Sequence, residues 1–305
     1  MFAPAPFLDI RSEVLAAAAF GDRPGLGAAE LPVVSDAVDS WRRAVILGGQ
    51  GYYAGARAEL RALRALTADP VLRSLAASTE GSLLRQLGWH AKAAVADGRA
   101  VALVGGTEPA GAVAEPVDTD ALPDLSALPE VSTLAEFAAR PDRVDALCDA
   151  LTGLAADALG TGRLTLAARL LRRGALALDA HHPRARIRWH WVSAETALAS
   201  GLPEWATTHA EAASALAQRC PSVRHRVKSR LLVAAAAATR GDIDAASAEA
   251  EIVAVQCREH GLLPLGWACA MLRSGLGDPD AATEAAVHAA AIAGRGGHFR
   301  PMGAR

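Results

Sequence analysis

Residues 41–70 read WRRAVILGGQGYYAGARAELRALRALTADP. A small residue, Ala44, is followed seven positions on by Gly51 and five further by Ala56. The spacing recurs as Gly81/Gly88/Ala93, Ala155/Gly162/Ala167, Ala194/Gly201/Ala206, Ala234/Gly241/Ala246 and Ala270/Gly277/Ala282. Successive turn glycines lie roughly 37, 74, 39, 40 and 36 residues apart, the range of stacked supersecondary units, with one unit skipped in the second gap. Each triplet has a packing reason. Small residues let two helices cross closely, and a glycine between them supplies the positive φ that ends a helix.

Outward from these triplets the chain divides into helix pairs. They are Ser35–Leu47 with Tyr53–Leu66, Val71–Leu87 with His90–Val104, Arg143–Leu159 with Leu164–Ala180, Pro183–Ser200 with Pro203–Arg219, Pro221–Arg240 with Ile243–His260, and Pro264–Leu276 with Pro279–Ala293. Proline at or near a helix start loses nothing, because its missing N–H has no intrahelical acceptor there. Gly-Asp at 241–242 and 277–278 reads as a helix stop followed by an N-capping acid. Residues 1–34 form an N-terminal helix and loop, and 35–104 the first two pairs. Residues 105–130 are an acidic Pro/Gly linker, 131–293 the remaining four pairs, and 294–305 a Gly-rich tail expected to be mobile.

The chain resembles the tetratricopeptide repeat family in its first unit (Trp41, Ala44, Gly51, Tyr53, Ala56, Leu60, Pro70) and its third (Ala155, Gly162, Leu164, Ala167, Leu171, Asp179). The resemblance covers about 200 residues; its periods exceed the ~34 residues of that family, and the aromatic of the second helix is often absent. It implies an all-α fold, a right-handed α-solenoid of about six antiparallel helix pairs interrupted by the linker. It also implies a concave face, lined by the first helix of each pair, that binds a protein or peptide.

Composition fits. Half of the 305 residues are hydrophobic, and aromatics are only 4%, so an Ala/Leu core favours helices over sheets. The net charge of −2 selects no charged partner. Four cysteines sit singly in apolar runs without CxxC pairing, which suits buried thiols in a reducing, cytoplasmic setting. No segment reads as a membrane span.

Charge is uneven along the chain. Residues 108–160 hold eleven acids, whereas 163–230 hold twelve bases against four acids. Arg184, Arg186 and Arg188, and then Arg224, Arg226, Lys228 and Arg230, begin the first helices of the fourth and fifth pairs. They read either as a basic stripe or as solvated helix ends. The acidic linker at 108–130 is expected to lie over these bases and compete with a partner.

Trp41, Trp191 and Trp267 share one phase, ten before the turn glycine, occupied in the other units by Ser78, Thr152 and Leu231. Trp beside Arg is the composition of binding hot spots. The expected partner groove therefore comprises Trp41, Arg42, Arg188, Trp191, Lys228 and Trp267. Trp89, Trp189 and Trp205 lie at other phases and read as core.

Catalytic signals are absent. Gly49-Gln50-Gly51-Tyr52-Tyr53-Ala54 imitates a dinucleotide turn, but Gly51 is in phase with five other turn glycines. His181, His182 and His190 could meet around a metal, although no thiol or carboxylate is placed nearby by spacing. The expectation is a non-enzymatic scaffold without cofactor or metal that binds an acidic peptide or protein. The alternative is a regulatory module associated with transcription or nucleic acid, suggested by the basic stripe and by Arg295, Arg300 and Arg305 in the tail.

Overall fold

The structure is a computed structural model and describes residues 10–105, 133–178 and 181–301. The acidic linker and its proposed cover over the basic repeats lie outside these residues.

The described residues form fourteen helices and no strand. In chain order these are α1 (Ile10–Phe20), α2 (Ala37–Gly49), α3 (Tyr53–Leu66), α4 (Pro70–Arg85), α5 (His90–Val104), α6 (Leu134–Phe137), α7 (Arg143–Gly160), α8 (Leu164–Ala175), α9 (Pro183–Ala199), α10 (Pro203–Gln218), α11 (Val223–Thr239), α12 (Ile243–Glu259), α13 (Leu263–Gly275) and α14 (Ala281–Gly294). From α2 onward each helix packs on the next in sequence, except across the short α6.

The six turn glycines all adopt positive φ, between +70° and +93°. The small residues flanking them are buried in the first five copies, as at Ala44, Ala56, Ala155, Ala167, Ala234 and Ala246. The sixth copy departs. There the second helix starts later, at Ala281, so Ala281 and Ala285 are buried while Ala282 is exposed. Asp280, not Asp278, is the N-cap of α14; Asp278 accepts from the Asp280 amide at 3.0 Å and pairs with Arg273 at 2.7 Å. Asp242 does cap α12, accepting from the Ala245 amide. Asp142 and Asp145 form a reciprocal capping box on α7.

The array closes on itself. α13 packs against α2. Residues 295–301, expected to be mobile, instead form the seam. The Ala54 amide donates to the Arg295 carbonyl (3.0 Å), Arg57 Nη2 to the Gly296 carbonyl (2.6 Å), Trp89 Nε1 to the His298 carbonyl (2.9 Å), and the Arg300 amide to the Leu87 carbonyl (2.8 Å). The correction has a steric cause. A Cβ at Gly296 would lie 2.7 Å from that of Ala54, and one at Gly297 would lie 2.6 Å from Ile292 and the Tyr53 ring. These glycines serve close approach to α3 rather than looseness.

α1 packs against α2, and α6 against α1. Phe20 meets Trp41 (5.3 Å) and Phe137 (6.5 Å), and Phe137 meets the His225 ring at 5.3 Å. The Val223 amide donates to the Gly21 carbonyl, tying α1 to the start of α11. Among the described residues no helix is long and apolar enough to cross a membrane.

Candidate functional site: a cavity faced by the first helix of every pair

A cavity of about 430 Å³ lies between α2, α4, α7, α9, α11 and α13, partly open to solvent, with Phe20, Tyr53, Ile292 and Phe299 completing its wall. Of the six positions ten before a turn glycine, five line it: Trp41, Ser78, Thr152, Trp191 and Trp267. The sixth, Leu231, is buried instead in the apolar cluster of α11, α12 and α13. α11 reaches the cavity only with its first two turns, through Arg224, His225 and Lys228.

Of the six expected groove residues, Trp41, Arg188, Trp191, Lys228 and Trp267 converge on the cavity wall. Arg42 does not. Its guanidinium donates to the Ala138 carbonyl at 2.8 Å and the Ser12 carbonyl at 3.4 Å, fastening α1 and the segment after α6 to α2.

Two of these tryptophans have a fixed polar end, and the third is held by a ring contact. Trp41 Nε1 donates to Thr79 Oγ1 (3.1 Å) and Trp191 Nε1 to Ser229 Oγ (2.8 Å), while Trp191 stacks on His225 with ring centroids 5.1 Å apart. Trp267 packs on Phe299 of the seam at 4.6 Å. Indole rings so anchored offer rigid apolar faces. Of the three assigned to core, Trp189 fits most fully, donating to the Leu171 carbonyl between His190 and His209.

The basic stripe proves to be neither a bare stripe nor a solvated edge. Arg188 pairs with Asp149 of α7 (2.8 Å), Arg184 with Asp145 (3.4 Å), Lys228 with Glu195 (2.7 Å) and Arg230 with Glu249 (3.1 Å). The sequence segregation of acids and bases is therefore partly answered helix to helix, α7 against α9. Arg224 differs. Its Nη1 donates to the Val45 carbonyl at the C-terminal end of α2 (3.0 Å), and among the described residues no carboxylate pairs with it. Burial, then Arg188 and Arg184, push its pKa down to about 10. His225 beside it stays neutral: burial, then Arg224, Arg188 and Arg184, hold its pKa well below the ordinary value.

Arg85 enters the wall from α4 carrying two carboxylates behind it, Asp97 (2.9 Å) and Asp157 (2.6 Å). Both acids are buried, and burial raises both pKa values, that of Asp157 to about 7. The folded chain thus holds the Asp157 proton more tightly than the unfolded chain does. Its stabilising contribution is complete below about pH 4 and is lost as pH rises through 7. Relative to the neutral isostere Asp157→Asn, the native chain should lose up to about 4 kcal/mol between pH 4 and pH 8 in urea unfolding. Parallel pH profiles for the two chains would refute this assignment.

His181, His182 and His190, weighed as a metal set and set aside, form no cluster with one another among the described residues. His190 Nδ1 lies 3.0 Å from His209 Nδ1, and burial drives their pKa values to about 3 and about 4, so both are neutral imidazoles in the core. His182 lies near Asp142 and Asp145, within 4.8 Å, but those acids are the capping box of α7 and partners of His182 and Arg184. Gly49–Ala54, the dinucleotide-like string, is the turn between α2 and α3, with Gly51 at φ +84°. Arg295 of the tail is committed to the seam, donating to the Gln50 carbonyl and lying over the Tyr52 ring.

Sequence reasoning missed Arg184, Arg224 and the Arg85–Asp97–Asp157 group. Arg184 and Arg224 were in the stripe but off the chosen phase. The acid group had one readable trace, Gly153 in the middle of α7. A Cβ there would lie 2.5 Å from the Asp97 carboxyl carbon, and a mid-helix glycine weakens a helix unless close approach requires it.

Compared with protein-family models, curated proteins and solved structures, the chain matches none.

Proposed function

We propose that the chain is a divergent tetratricopeptide-like array, a right-handed solenoid of six helix pairs drawn into a ring. Its function would be that of a non-enzymatic, cytoplasmic interaction scaffold whose inward face binds an acidic peptide or protein segment. The observation that carries the reading is convergence. Five residues chosen on repeat phase and composition, from four different repeats and more than two hundred positions of sequence, share one wall. Arg188 and Lys228 supply cations whose present partners, Asp149 and Glu195, are themselves at the wall and exchangeable for a partner's carboxylates. Trp41, Trp191 and Trp267 supply apolar contact at small entropic cost. Four buried free thiols suit a reducing compartment.

Fluorescence anisotropy with labelled decapeptides of alternating Glu and Leu, set against Lys/Leu and Ser/Leu controls, tests this. The acidic peptide should bind preferentially and more weakly as salt rises. Trp191→Ala, checked for helical content by circular dichroism, should weaken it about thirtyfold. Equal binding of all three peptides would defeat the reading.

A further inference from the structure

At one end of the cavity three guanidiniums gather with two carboxylates. Arg184 is 5% exposed, and its Nε and Nη2 are buried without a hydrogen-bond partner. Asp145 is its ion-pair partner, but at 3.4 Å and without hydrogen-bond geometry. The Phe20 and Trp41 rings, 5.0 and 5.2 Å from its carbon Cζ, hold the guanidinium in place by cation–π contact and leave its N–H groups unmet. Buried N–H groups of this kind are rarely left without an acceptor.

Arg224 comes to the same end from α11. Among the described residues its hydrogen bond is to a neutral carbonyl. Gly49 makes room for it, since a Cβ at Gly49 would lie 2.9 Å from Arg224 Nη1. Arg188 is matched by Asp149 and Lys228, farther along, by Glu195. Arg85 has two acids of its own, and His225 is neutral. Arg224 is thus the cation of this wall with no carboxylate beside it among the described residues, next to the unmet N–H groups of Arg184. The rest of the lining is largely apolar, and a volume of about 430 Å³ lies in the range of small-molecule pockets.

We propose that this cavity binds a small organic anion. A single carboxylate or phosphate head would be held by Arg184, Arg188 and Arg224, and an aromatic or aliphatic body would lie against Trp41, Trp191 and Trp267. The proposal rests on the same cavity as the scaffold reading and names the chemistry that the cavity selects. Bidentate acceptance from a guanidinium fork suits both head groups.

The test uses the full chain and three probes: naphthyl phosphate, naphthoate and uncharged naphthalenemethanol. Each is followed by tryptophan fluorescence and by melting temperature. At least one anion should quench the fluorescence and raise the melting temperature, and the alcohol should do neither. Binding of the phosphate alone or the carboxylate alone names the head group, and binding of both supports the shared chemistry. Arg224→Met should weaken the anion about tenfold to a hundredfold. Should that variant lose its helical signal, Arg224→Lys, which keeps the charge and removes the fork, carries the same expectation at reduced size. No anion binding to the native chain, equal binding of the alcohol, or binding indifferent to Arg224 overturns the proposal. Anion binding without acidic-peptide binding leaves it standing and defeats the peptide reading. Peptide binding without anion binding does the reverse.

Discussion

Cutting the chain after Gly294 should lower the melting temperature by about 10 °C and abolish binding in the cavity. The removed segment supplies the Arg295, Gly296 and His298 carbonyls and the Arg300 amide of the seam, a fifth bond from Arg295 Nη1 to the Gln50 carbonyl, and the Phe299 ring on Trp267. At about 1 kcal/mol per net hydrogen bond, with the buried ring added, the loss is about 3–5 kcal/mol, and each kilocalorie shifts a chain of this size by a few degrees. One amide reports directly. Ala54 lies in the first turn of α3, where no intrahelical acceptor exists, and its partner is the Arg295 carbonyl. Hydrogen exchange at Ala54 should be slow in the full chain and fast in the truncated one. Unchanged exchange there, with an unchanged melting temperature, would show that the seam contributes nothing.

Asp97→Ala should be at least as damaging, destabilising the fold by about 3–5 kcal/mol in urea unfolding, because it takes one carboxylate from a buried guanidinium. Asp97 is fully buried, accepts from Ser78 Oγ (2.8 Å) and Arg85 Nη1 (2.9 Å), and occupies the space that Gly81 and Gly153 leave open. Asp97→Asn, which keeps the shape and loses the charge, should cost less. Gly153→Ala should approach the Ala variant, since its Cβ would stand 2.5 Å from a carboxylate that Ser78 and Arg85 fix in place. If Asp97→Ala unfolds at the native midpoint, Arg85 is adequately served by Asp157 and the Gly153 carbonyl alone.

Much of the local structure was legible in the sequence because each triplet obeys a constraint within one hairpin. A turn needs Gly51 at positive φ, and a crossing needs Ala44 and Ala56 to be small. The register failed where a local signal changed length: Asp278 and Pro279 extend the last turn, so Ala281 took the place of Ala282. Closure was not legible. Curvature accumulates from small rotations between units, and no residue near Ala54 signals that Arg295 will be its partner. The glycines of 294–297 suggested looseness because glycine serves both freedom and close approach. The groove was legible by phase at Trp41, Trp191 and Trp267, since period fixes facing direction. Arg42 fell outside it because a long side chain reaches past its own phase, here to the Ala138 carbonyl. Arg184 and Arg224 enter it by the same reach.

The seam has a further consequence in time. Its hydrogen bonds join residues 239 and 245 positions apart, as between Arg57 and Gly296 or Gln50 and Arg295. During synthesis the first hairpins leave the ribosome long before residues 295–301 exist, and contacts of such sequence separation form late. The nascent array must therefore pass through an unsealed stage in which the indoles of the inner wall and the first-turn amides of α3 are open to water. The cavity comes into being in a single late event, when the last helices meet the first.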